Sequence, residues 1–392
     1  MQEKSCAVVL GGYINGYSII RELNEKKIKD ILIFDIRKSV SAYSNKIFKF
    51  ELIKDDSPES LLKALKRYHE IYSYMVIFPT DDMHLENLYT LYPDIHSFCF
   101  VPFNFKNFND CLNKQYQYQY CEILGIPYPK TVYIETIEDL NQLSRLQFPI
   151  IIKPNKRKDK RKDLKIEIFR NIQVTSKEEI SWIREKIQPF FSSGISFLAS
   201  EIIPGDGSNI YAYVGYRNMK GEIINEWTGK KLAQFPHNFG VFSSASNQAP
   251  DIVLQQGRLL LEGMDLIGIA EPEFKFDNRD GKYKLMEINL RSMMWHRVGN
   301  LSGVNIQFTQ YLDAIGEKPV NQTQIKNIDI HFVYFKHEFY NLLTRKNYLR
   351  IFFKNIFSSD KTYFAVLNFQ DILPFFADIR DIIVRILQGK IT

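Results

Sequence analysis

Short apolar runs at 6–10, 31–34, 74–78 and 98–101 alternate with segments of helical spacing at 18–27, 58–69 and 81–92. β-Formers between amphipathic segments predict a small parallel sheet covered by helices over the first hundred residues. A helix is predicted over 113–124, stopped by Gly125 and a Pro127-x-Pro129 linker. Buried strands follow at 148–154 and 197–203, and an amphipathic helix at 252–266. The clearest alternation lies at 269–291, IAEPEFKFDNRDGKYKLMEINLR. There Asn278-Arg279-Asp280-Gly281 is a turn signal between two alternating segments, which predicts a β-hairpin. Side chains two apart share a face of a strand. Glu271, Glu273 and Lys275 are therefore expected to project together from the first strand, and Glu287, Asn289 and Arg291 from the end of the second.

Two carboxylates, an amide oxygen and a guanidinium in one cleft suit one kind of chemistry. Mg²⁺ takes hard oxygen ligands, commonly one or two carboxylates plus the phosphates of a substrate. An Arg beside it can bind a transferring phosphoryl group or a substrate carboxylate. The plainer alternative is a surface hairpin with solvated Glu and Lys.

Glu273, then Glu287-Ile288-Asn289 followed by Arg291, resembles the magnesium strands of the ATP-grasp superfamily. The segment 262–268, EGMDLIG, resembles the helix and turn that precede those strands. The wording of the hairpin is close to D-aspartate ligases and to the ATP-grasp ligases of bacterial surface-polysaccharide clusters. The resemblance covers roughly 7–316 and implies an α/β plus α+β protein of ATP-grasp fold. Its expected parts are an N-terminal Rossmann-like pre-ATP-grasp domain at 1–112, two ATP-grasp lobes at 113–192 and 193–318, and a C-terminal helical extension at 319–392.

The resemblance also distributes roles. ATP and two Mg²⁺ (with Mn²⁺ as a substitute) are the implied cofactors, and Glu273, Glu287 and Asn289 the implied metal ligands. Lys114, in "NKxxxYxxCExLGIPYPKT", and Lys153, in the strand "FPIIIKP", would reach the nucleotide phosphates. A lysine at the end of an apolar strand is costly without an anionic partner, which independently favours Lys153. "SEIIPGDGSN" resembles the segment joining the two lobes, where Glu201 and the backbone of Ile202 and Ile203 would read adenine. Asp206 would accept from ribose hydroxyls, with Asn209 beside it. "WTGKKLAQFPHNFGVF" resembles a segment whose Lys230, Lys231 and Gln234 would hold an anionic acceptor or phosphates, while Trp227, Phe235 and Phe239 read as core. Arg291 would steady the oxyanion, with Lys230 as its catalytic companion.

Several features depart from that pattern or stay open. The loop expected to cover the phosphates contains no Gly at 155–164 and is rich in Lys and Arg. Side-chain cations in place of backbone donors, a site for an anionic lipid pyrophosphate, and a solvated loop are equal readings. Gly11-Gly12-x-x-x-Gly16 matches neither a dinucleotide fingerprint nor a Walker loop and reads as a tight strand-to-helix turn. Asp81 and Asp82 stand at the sheet's carboxyl edge, where ligands bind, or simply cap and open a helix. Residues 243–247 read as a small polar loop, a candidate lid. After Arg291 the residues differ from D-aspartate ligases, and His296 reads as a surface histidine more readily than as a base. Beyond 319 the match weakens; the basic, aromatic stretch 332–357 reads as a helical cap with its aromatics inward, or as a surface for membrane.

Composition adds limits. The chain has 392 residues, room for two or three domains. Its net charge is +6, of which the basic run 156–165 alone supplies +5. One basic loop on a nearly neutral chain argues against nucleic acid as partner. Cys6, Cys99, Cys111 and Cys121 show no metal or redox spacing and read as buried thiols of a reducing cytoplasm. No apolar run reaches the ~18 residues of a membrane span, and the first ten residues read as a strand rather than a signal peptide.

The expected function is an ATP-dependent ligase joining a carboxylate (a sugar acid or an amino acid) to an amine through an acyl phosphate, in surface-polysaccharide or cell-wall precursor modification. It is expected in the cytoplasm, with peripheral contact to the inner membrane face through 319–392 or the loop 156–165. D-Aspartate ligation onto a peptidoglycan precursor is the specific alternative. A nucleotide-binding protein without ligase activity is the alternative of another class. A Rossmann-type oxidoreductase rests on the first hundred residues alone.

Overall fold

The computed structural model describes residues 4–155, 169 and 171–388, so the basic run 156–165 and the roles weighed for it lie outside the described residues. The chain forms two compact units. The first comprises 4–108, 206–273 and 288–388, and the second the described residues of 109–205 with 274–287.

In the first unit β1 (Ser5–Leu10), β2 (Ile31–Asp35), β3 (Lys49–Leu52), β4 (Tyr74–Pro79) and β5 (Cys99–Phe100) form a parallel sheet in the order β3-β2-β1-β4-β5. Helices α1 (Ile14–Glu25), α2 (Pro58–His69) and α3 (Asp82–Ile95) alternate with the strands. Ala7, Val9, Ile20, Ile33, Val76 and Phe78 meet in one apolar cluster between the sheet and α1. The expected sheet is present, with β3 added: KFEL is short, half-exposed and lies at the edge, so no apolar run announces it. The glycine turn has a steric cause. Gly11 has φ +85°, and a Cβ on Gly16 would come 2.1 Å from the Gly11 carbonyl oxygen.

The second unit begins within α4 (Phe108–Cys111) and continues with α5 (Lys114–Leu124), β6 (Thr131–Ile134), β7 (Ile150–Pro154), β8 (Ile172–Val174), α6 (Ile180–Phe191) and β9 (Phe197–Glu201). Its strands make an antiparallel sheet in the order β6-β9-β7-β8. Ile150, Ile152, Val174, Ile183, Ile187 and Phe197 form its core. Helix α5 is bounded as its sequence suggests. Asn113 Oδ1 accepts from the Gln115 N–H at 2.8 Å, and Gly125 ends the helix at φ 68°.

The rest of the chain runs β10 (Ile210–Arg217), β11 (Ile223–Phe235), β12 (Val241–Ser246), α7 (Asp251–Gly263), β13 (Gly268–Asp277), β14 (Lys282–Asn289), α8 (Arg297–Leu301), α9 (Ile306–Ala314), β15 (Ile330–Val333), α10 (Phe335–Thr344), α11 (Leu349–Phe357), β16 (Lys361–Phe364) and α12 (Leu373–Leu387). A seven-stranded sheet has the order β14-β13-β10-β11-β12-β15-β16. The hairpin predicted at 269–291 is β13 and β14, and the chain passes between the units within both strands, after Glu273 and after Glu287.

Two expectations change here. Residues 243–246 are not a loop but most of β12, buried throughout. Their serines look loop-like in sequence, yet Ser243 and Ser244 donate to Glu338 at 2.7 and 2.6 Å, which satisfies them inside the protein. The C-terminal extension is helical in α10 to α12 but also supplies β15 and β16, paired with β12 and with each other. Among the described residues no helix is long and apolar enough to cross a membrane. All four cysteines are free and buried, and burial pushes the Cys6 and Cys99 thiols far above their usual range.

Candidate active site

In the second unit the candidate residues sit at strand and helix ends. Lys114 opens α5 and its Nζ donates to Glu287 Oε2 at 2.9 Å, with both side chains largely buried. Tyr118, one turn further along α5, donates to the Met286 carbonyl at 3.2 Å and fixes the helix against that strand end. Lys153 lies half-buried near the end of β7, in register with Leu198 of β9. Glu201 ends β9 and accepts from the Gln147 N–H at 2.9 Å. The Ile202 N–H donates to the Pro149 carbonyl at 3.0 Å. Lys275, expected beside Glu271 and Glu273, instead donates to the carbonyls of Ile203 at 2.8 Å and Gly205 at 2.6 Å. Lys275 thus pins the segment 201–205 to the hairpin. At the hairpin's outer end Asp277 takes bonds from Arg279 and Lys284, which hold its carboxyl far below the usual range.

In the first unit Glu271 and Glu273 each take a separate cation or imidazole. Lys231 Nζ donates to Glu273 Oε2 at 2.6 Å, both groups nearly enclosed. Neighbouring residues of a strand face opposite ways, so Lys230, the favoured companion of Arg291, faces away from Lys231. The signal for Lys231 was present in "GKKL", which offers two candidates without saying which face meets the hairpin. Fully buried Glu271 lies 2.5 Å from His296 Nε2, and His296 packs edge-on to Trp227. His296 is therefore an interior residue and not a surface one.

Arg291 lies just past β14 and donates from Nε to Asp82 Oδ1 at 2.6 Å. Burial works against its charge, but Asp82, Asp81 and Glu271 outweigh that and raise its pKa. The two neighbouring acids thus divide the readings weighed for them. Asp81 caps α3 by accepting from the Met83 N–H at 3.0 Å, while Asp82 pairs with Arg291. Asp206 accepts from the Ser208 N–H at 2.9 Å and hydroxyl at 2.6 Å, and Asn209 closes the same turn. Burial raises the Asp206 carboxyl, but the Ser208 bonds outweigh it and the net shift is downward. Trp227 is core, whereas Phe235 and Phe239 are only partly buried.

Glu273, Glu287 and Asn289 are each of a ligand type that Mg²⁺ takes, two carboxylates and one amide oxygen. Asn289 is 7% exposed, and its Nδ2 has no hydrogen-bond partner among the described residues. A buried amide with an unmatched donor costs about 1–3 kcal/mol; that N–H can only meet an acceptor, and it is the Oδ1 of the same amide that would serve a cation.

No protein-family model matches the chain. Its sequence is similar to the D-aspartate ligase of Enterococcus faecium (strain Aus0004), 24% identical over 343 residues, which are 82% of this chain and 79% of that protein. Its structure is similar to that of an N5-carboxyaminoimidazole ribonucleotide synthetase in its ADP complex. The TM-score is 0.62 at 16% identity, over 89% of this chain and 86% of that one. A biotin carboxylase from Campylobacter jejuni in complex with β-γ-ATP gives a TM-score of 0.62 at 14% identity, over 81% of this chain and 73% of that one. At such identities the structural likeness speaks for the fold.

Proposed function

From the ATP-grasp fold, which this chain has, we infer an ATP-dependent ligase that joins a carboxylate to an amine. The observation that carries the reading is the chemistry of the hairpin. Glu273 and Glu287 each face a lysine ammonium, Lys231 and Lys114, and Asn289 and Arg291 follow at alternate positions. The similarity to a D-aspartate ligase supports a C–N bond as the product.

In this reading a substrate carboxylate oxygen attacks the γ-phosphorus of ATP and ADP departs, leaving an acyl phosphate. The amine then attacks the acyl carbon, loses a proton, and expels phosphate. Lys114 and Lys153 hold phosphate oxygens, and each ammonium offsets charge that would otherwise repel the incoming carboxylate. Glu201, Ile202 and Ile203 flank adenine, with Asp206 and Asn209 at the ribose. Arg291, oriented by Asp82, steadies the acyl oxygen as negative charge gathers there. Lys231, on the face of β11 that meets Glu273, supplies the cation for an anionic acceptor or phosphates in place of Lys230, which faces the other way. Glu273, Glu287 and Asn289 would hold Mg²⁺, two ions with Mn²⁺ as a substitute, which when bound neutralises phosphate charge. No side chain need become covalently attached to substrate.

The carboxylate belongs to a sugar acid or an amino acid of a surface-polysaccharide or cell-wall precursor. D-Aspartate is the specific candidate, supported by the sequence relative. The reaction belongs in the cytoplasm, where ATP and such precursors meet, with peripheral contact to the inner membrane face.

The test is ADP release from Mg-ATP against panels of acids and amines. Glu287→Gln keeps the shape and removes the charge, and is expected to lower turnover about a hundredfold or more. Unchanged turnover in that variant, or ATP binding without release under any substrate pair, would end the ligase reading.

A further inference from the structure

The residues from Phe339 to Ser359 include four cations, Arg345, Lys346, Arg350 and Lys354, and no acid. Most of this stretch is α11 and the turn before it. Leu349, Phe353 and Phe357 are 59, 50 and 72% exposed, although large apolar side chains usually find cover in a core. They recur every fourth residue, so they form one stripe along the helix.

The helical wheel sets this stripe opposite the helix's buried side. Residues advance about 100° each, which puts the stripe across about 80° of the circumference, centred about 160° from the buried Asn355. Arg350 and Lys354 follow on the next sector, both exposed, with exposed Lys346 just ahead of the helix. The apolar area continues beyond the stripe. Phe353 contacts Phe357 and Phe352, and Phe352 contacts Phe335 of α10, itself 38% exposed.

We propose that α11 is a docking surface for an anionic lipid bilayer, lying flat with Leu349, Phe353 and Phe357 among the acyl chains and Lys346, Arg350 and Lys354 at the headgroups. An apolar face with a basic border is the pattern of helices that lie in the bilayer interface. Charge selects lipid over a second copy of the chain. A two-fold pairing through this face would set its cations against an identical set, whereas an anionic leaflet attracts each of them. The proposal gives a site to the membrane contact of the proposed function, but it stands on this surface and not on the ligase chemistry.

Full-length protein is to be sedimented at low salt with vesicles of phosphatidylcholine, and with vesicles of equal parts phosphatidylcholine and phosphatidylglycerol. Binding to the anionic vesicles is expected, and weaker binding by about tenfold or more to the neutral ones. Each cation near an anionic surface is worth about fivefold in partition, so the neutralising set Lys346→Gln/Arg350→Gln/Lys354→Gln should lose on the order of a hundredfold. Phe353→Ser/Phe357→Ser should lose about tenfold or more on the same vesicles. These positions are exposed, so the thermal melt should be unchanged; if it falls, single Phe357→Ser takes the double variant's place. Wild-type protein that stays in solution, or variants that sediment like wild type, would overturn the proposal. So would a lipid-free dimer that the Phe variants dissociate, since a second copy would then cover the face.

Discussion

Glu338 has no exposed surface, yet three hydroxyls converge on its carboxyl: Ser243 at 2.7 Å, Ser244 at 2.6 Å and Tyr348 at 2.9 Å. One residue of α10 therefore makes two serines of β12 acceptable inside the protein. Glu338→Ala would strand those hydroxyls, and a loss of about 3 kcal/mol in urea denaturation is expected. Next to it His337 donates toward the Phe242 carbonyl at 3.0 Å, and burial pushes its pKa down to about 4. The unfolded chain, with an imidazole near 6.5, binds that proton earlier than the folded one. Stability should therefore fall as pH drops from about 6.5 to 4, by roughly 3 kcal/mol if His337 acts alone. His337→Gln should flatten that part of the stability–pH profile measured by chemical denaturation. At this scale the sequence showed which side chains carry chemistry but not their partners. Asp81 and Asp82 are chemically alike and adjacent, and only the start of α3 distinguishes a cap from the partner of Arg291.

The hairpin and α5 were legible because their signals are local. A four-residue turn cluster divides two alternating segments, and Asn113 and Gly125 mark the two ends of a helix. Replacing that cap, Asn113→Ala, should cost about 1 kcal/mol in thermal or urea unfolding. It should also loosen Lys114, the first residue of the helix, and so weaken ATP binding measured calorimetrically. Strands β3 and β12 were not legible, since each depends on what lies beside it. β3 is an edge of four residues, and β12 is polar in composition but sheltered by α10. The face chosen by Lys231 over Lys230 had the same origin, because alternation fixes that two neighbours differ but not which one looks inward.

Across the molecule the last seventy-odd residues are part of the larger sheet rather than an appendage. β15 pairs with β12 and β16 with β15, and α10 satisfies the serines of β12. A chain ended at Gly316 should therefore lose cooperative unfolding, seen as a broad, shallow melt by circular dichroism. The resemblance fades beyond 319, and the two short strands of four residues there carry no local signal of their own.

The chain enters and leaves the smaller unit twice, and its second visit is nothing but the outer part of a hairpin, Phe274–Glu287. A protease that nicks the turn at Asp280-Gly281 would divide the seven-stranded sheet, leaving β10–β13 on one piece and β14–β16 on the other. Such pieces are candidates for fragment complementation. Expressed separately the later piece should be unfolded, and mixed the two should recover the melt of the intact chain.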